Sequence, residues 1–152
     1  MKVESLRDVL KWTVTFHQNL KECLKECATK NEDERARLIL IYLSEHEGSL
    51  ERIISGFETV TNKNVLDTWC YDYLKEHKII PHGHCDFPFS NLTMDEVVKE
   101  VTAEHKKVIA LYEHLHSRVD TNSAQEFLAT IQAVEEHEIR RMVQAANRFS
   151  DL

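Results

Sequence analysis

The sequence predicts an all-α protein, a single four-helix bundle filling residues 1–152. Three observations carry that prediction. Apolar residues recur at alternating steps of four and three along four long stretches, the mark of a helix with one buried face. Only three Gly and two Pro occur in the chain, too little turn chemistry for an all-β fold. Apolar residues make up 42% and charged residues 30%, which is a globular composition, not a disordered one.

The first helix is expected from about residue 3 to 28, ending in the polar run TKNED. The second runs from about 34 to 60. The third starts behind Thr93, whose hydroxyl caps the helix while Glu96 reaches back, and it continues to about Arg118. The fourth opens on a second capping box, Ser123 with Glu126, and runs close to the last residue. Short connections near 29–33 and 119–122 make helices 1 and 2, and helices 3 and 4, antiparallel hairpins. The crossover, about 61–92, is long and holds a short helix, NVLDTWCYDYLKEH, expected to pack through Leu66, Trp69, Tyr73 and Cys70. A helix of about 26 residues is about 39 Å long. A crossover of this length can span it, so helix 3 is free to start at the end opposite to where helix 2 finishes.

Each apolar stripe is interrupted near its midpoint by a side chain that can bind a metal ion. Helix 1 reads Leu6, Leu10, Thr13, His17, Leu20, Leu24, Cys27, and helix 2 reads Ala36, Leu40, Leu43, Glu47, Leu50, Ile54, Phe57. Helix 3 gives Met94, Val98, Val101, His105, Val108, Tyr112, Leu115. Helix 4 gives Phe127, Ile131, Val134, Glu138, then Arg141 or Met142, Ala145 and Phe149. Helices of similar length packed side by side share one middle layer, so His17, Glu47, His105 and Glu138 are expected to converge. The tripeptide Glu45-His46-Glu47 returns as Glu136-His137-Glu138, adding His46 and His137, each about 100° around its helix from the seam. Adding 91 carries helix 2 onto helix 4, and adding 88 carries His17 onto His105, the pattern of a duplicated hairpin. Buried imidazoles and carboxylates need partners, because each unmade hydrogen bond in an apolar interior costs about 1–3 kcal/mol. One divalent cation (iron, manganese or zinc) would satisfy several of them together. Two other readings stay open: the groups pair with one another as a metal-free layer, or the registers differ and some reach solvent.

With this connectivity and polar layer, the chain resembles the ferritin-like superfamily, in the rubrerythrin-like direction. The resemblance implies a Glu from each of helices 1 and 3 and a Glu-x-x-His from each of helices 2 and 4. Glu47 and Glu138 match the Glu of those motifs, but Leu50 and Arg141 stand where His would follow, and His17 and His105 stand where Glu is expected. Two seam carboxylates suit one divalent ion better than an oxidised iron pair. Arg141, one turn from Glu138, is placed to pair with it. The His-x-x-x-Glu and His-x-x-x-His patterns of hemerythrin-like bundles are missing, while the three-histidine site of DinB-like bundles is compatible in ligand type.

A formal charge of −7 offers no basic stripe for nucleic acid or an anionic membrane. No signal-peptide run and no stretch of eighteen apolar residues is present, so a soluble, cytoplasmic protein is expected. Cys23, Cys27, Cys70 and Cys85 fit no CxxC pattern and are expected to be reduced, with Cys23 and Cys27 as neighbours at a helix contact. His82, His84, Cys85 and Asp86, with His77 just before, form a second metal-competent cluster whose role the sequence does not give. His114 and His116 suit the carboxyl end of helix 3. No nucleophile–base pair or phosphate loop is found. Two functions follow. One is metal-dependent, oxidoreductase-like chemistry with oxygen or peroxide. The other is a non-enzymatic helical module with a metal-free polar layer that binds a protein partner. A homodimer would pair along a helix face.

Overall fold

The computed structural model describes residues 3–76 and 89–151. Its long helices are α1 (Leu6–Lys30), α2 (Glu34–Val60), α5 (Met94–Arg118) and α6 (Asn122–Ser150), with the short α3 (Lys63–Leu66) and α4 (Tyr71–Glu76) in the crossover. The predicted all-α bundle with one long crossover is what forms. α1 packs chiefly on α2 and α5 on α6, and α2 also touches both α5 and α6. The seams meet in one core, in which Leu10, Leu24, Leu40, Leu43, Val108, Leu115 and Ile131 are buried. Burying such side chains is worth about 1.5–3 kcal/mol each, which is what holds the hairpins together.

The caps explain where the helices begin. Ser5 accepts the Asp8 amide at 3.3 Å, and the Asp8 carboxylate accepts the Ser5 amide at 3.2 Å, so α1 starts later than its apolar period suggests. Thr93 and Glu96 form the expected box on α5. On α6 the expected Ser123–Glu126 box gives way to Thr121, whose hydroxyl accepts the Ala124 amide at 3.2 Å.

The hairpins are related by one offset. α1 and α5 are both 25 residues long, and their first residues, Leu6 and Met94, are 88 apart. The first residues of α2 and α6, Glu34 and Asn122, are also 88 apart. Caps follow the same rule, Ser5 with Thr93 and Asp33 with Thr121. The expected shift of 91 for the second pair is thus corrected to 88.

The crossover departs from the single short helix expected there. The Leu6 amide donates to Thr68 O at 3.0 Å and the Cys70 amide to Glu4 O at 2.8 Å, an antiparallel bridge that breaks the helix and fastens it to the start of α1. Leu66, Cys70 and Leu74 face inward, whereas Trp69, expected to pack, is 58% exposed. Asn31 ties the α1–α2 turn to the start of the second half, donating to Phe89 O at 2.9 Å and Leu92 O at 3.0 Å. Cys27 and Cys70 are buried thiols, and Cys23, expected to be reduced, is disulfide-bonded. Among the described residues no helix is long and apolar enough to cross a membrane.

Candidate metal centre

Halfway along the bundle, four fully buried side chains close a ring: His17 from α1, Glu47 from α2, His105 from α5 and Glu135 from α6. His17 Nδ1 donates to Glu47 at 2.7 Å and its Nε2 to Glu135 at 2.6 Å. His105 mirrors it, with Nδ1 donating to Glu135 at 2.8 Å and Nε2 to Glu47. In each hairpin Nδ1 serves the glutamate thirty positions on, and Nε2 serves the glutamate of the other hairpin. The offset of 88 carries His17 to His105 and Glu47 to Glu135, so the ring repeats the symmetry of the helices.

The surroundings are buried and aromatic. Phe16 lies edge-on to both imidazoles, at 5.1 Å from His17 and 6.0 Å from His105 between ring centres. Tyr112, fully buried, donates to the Thr13 hydroxyl at 2.7 Å, which in turn donates to Val9 O. Ionised carboxylates only accept, so four N···O contacts need four ring N–H groups and therefore two imidazolium ions. Two positive and two negative charges cancel inside the ring. Burial opposes ionisation of all four groups, yet the partners overcome it. Glu135 and Glu47 lift His17 to about 9, and the same pair lifts His105 to about 10. The two imidazolium ions in turn hold Glu135 down at about 2 and depress Glu47.

Three of the residues expected in the middle layer, His17, Glu47 and His105, converge as read. Glu138 does not join them. Its place in the ring is taken by Glu135, one turn earlier, because the α6 stripe steps from Ile131 to Glu135 and then to Glu138, with Val134 only half buried. Glu138 is buried beside the ring, accepting from His46 Nδ1 at 3.0 Å and from the half-exposed Arg141 at 3.4 Å. His46 is largely buried, and His137 faces solvent. Glu135 was legible: it is the residue 88 beyond Glu47. The His77, His82, His84, Cys85 and Asp86 cluster lies outside the described residues.

The donor set suits a metal ion. His17, His105 and Glu135 each offer a ligand atom, all within 4.8 Å of one another. Burial pushes the Cys70 thiol up to about 12, which keeps it from acting as a thiolate nucleophile.

No protein-family model and no curated protein matches the chain. A solved structure from Thermotoga maritima, named provisionally as a ferritin-like diiron-carboxylate protein, is similar over 94% of this chain and 95% of that one. Its TM-score is 0.57 at 15% identity. This likeness gives the chain a ferritin-like fold and lends nothing to a rubrerythrin-like one.

Proposed function

We propose that the ring of His17, Glu47, His105 and Glu135 is a site for one divalent transition-metal ion, iron first and manganese or zinc otherwise. The carrying observation is that two imidazoles and two carboxylates, all wholly buried, are brought from four different helices to one point. The name of the Thermotoga maritima structure supports iron as the first candidate. Imidazole with carboxylate suits these ions, and one divalent charge with two neutral imidazoles and two carboxylates leaves the core neutral. Such an ion supplies Lewis acidity and, for iron or manganese, redox chemistry with oxygen or peroxide. Phe16 packs edge-on against both imidazoles, and all four ligands are wholly buried in the helix seams.

A second reading rests on the same closed ring: every ring nitrogen and every carboxylate oxygen already has its partner. Under it the ring is a metal-free layer that fixes how the hairpins dock, and the protein acts as a helical interaction module. Untagged protein purified without chelators decides between them, by mass spectrometry of bound metals in wild type and in Glu47→Ala/Glu135→Ala. Near-stoichiometric metal that vanishes in the double variant is expected. Metal kept by the variant would place the ion elsewhere, and a metal-free wild type would favour the self-paired ring.

A further inference from the structure

The pseudo-symmetry of the bundle fails on one side of the ring. By the offset of 88, His46 corresponds to Val134, Glu138 to Leu50 and Arg141 to Ile53. The contact between α2 and α6 therefore has two unlike flanks. One holds Leu50, 1% exposed, and the half-buried Val134. The other holds the bonded pair His46 and Glu138. Glu138 also lines a shallow surface groove with Ile53, Ala133, Val134, His137 and Arg141. It follows Glu135 by one turn on the same buried stripe, and His46 directly precedes Glu47.

An ion bound for a fully buried ring must shed hydration water on the way, which is prohibitively costly without replacement ligands. Leu50 and Val134 offer none. Glu138, which lines the groove, and His46, bonded to it and next in sequence to Glu47, offer two.

We propose that His46 and Glu138 form the port through which a divalent metal ion reaches the ring, with Glu138 taking the ion from the groove and Arg141 restraining it at the mouth. This rests on reading the ring as a metal site. While the port is idle, Glu138 is held between His46 and Arg141. An arriving cation competes with the Arg141 guanidinium, only half buried and free to swing into solvent, for the same carboxylate. His46 is left as the second donor.

The test converts the polar flank to its apolar counterpart. In His46→Val/Glu138→Leu, both substitutions are the residues that already fill the equivalent positions, so the fold has a precedent for them. Metal-free protein is mixed with Co(II), loading is followed by stopped-flow absorbance, and release is followed after adding a chelator. A port speeds arrival and departure alike, so loading and release should both slow at least tenfold, with affinity and final stoichiometry held. Arg141→Ala, at a half-exposed position, should load severalfold faster. Unchanged rates in both variants overturn the port. A loss of affinity without slower loading also overturns it, because Glu138 would then be a ligand of the bound ion. A wild type that binds no Co(II) overturns the metal reading itself and the port with it, an outcome distinct from the other two.

Discussion

At the ring, ionisation and folding are coupled, and the sign of the coupling differs for the two residue types. The histidines are raised from 6.5 to about 9 and about 10, so their contribution in metal-free protein is complete below about 6.5 and is lost as pH climbs through 9–10. The glutamates are lowered from 4.5, so theirs is complete above about 4.5 and is lost as pH falls toward about 2 at Glu135. Urea midpoints of metal-free protein should hold level between about 4.5 and 6.5 and fall on both sides. Replacing all four ring residues by Leu should flatten both limbs and leave the protein at least as stable, because apolar packing often matches a buried ionic cluster. Removing one member is different. Glu135→Leu leaves two imidazolium N–H groups without acceptors and should cost about 3–5 kcal/mol, whereas Glu138→Leu, which ends a contact with a partly exposed His46, should cost about 1 kcal/mol. Equal costs in urea denaturation would mean that the ring is not the electrostatic centre. Three ring members were legible from the midpoints of their helices. The fourth, Glu135, was legible only through the offset of 88, because Val134 and Glu135 both continue a helical stripe from Ile131, and the repeated Glu-His-Glu drew the reading one turn too far.

The ends of the helices carry their own signals, of uneven clarity. Ser5 and Thr93 cap equivalent ends, and each change to Ala should cost about 1 kcal/mol in thermal melts. For α6 the discriminating pair is Thr121→Ala, also about 1 kcal/mol, and Ser123→Ala, close to zero, since the Thr121 hydroxyl holds the Ala124 amide. Both candidates stand before an apolar run, so only geometry separates them. The crossover shows what periodicity cannot carry. Its apolar spacing fits one short helix, but two backbone hydrogen bonds to Glu4 and Leu6 split it and turn Trp69 outward. A contact between residues more than sixty positions apart leaves no local trace.

Over the whole molecule, a ligand held by all four long helices stabilises the assembled bundle and not the unfolded chain. Iron or manganese at a hundred times its dissociation constant should add about 2.7 kcal/mol, seen as a melting temperature that rises with metal and returns after chelation. The variant with four ring leucines should show no such shift. The likeness to the Thermotoga maritima structure extends over nearly all of both chains, so the overall fold is shared, whereas the ring is read from this chain alone. The offset of 88 residues has a consequence for ancestry. A hairpin carrying one histidine and one glutamate thirty residues apart would build the same ring by pairing with its own copy. Such a pair would have identical flanks, so any change to one would be repeated on the other. Joining such copies into one chain would remove that constraint, and here Leu50 and Val134 stand where the other half has Glu138 and His46. The fused bundle is a symmetric lock that has acquired a front and a back.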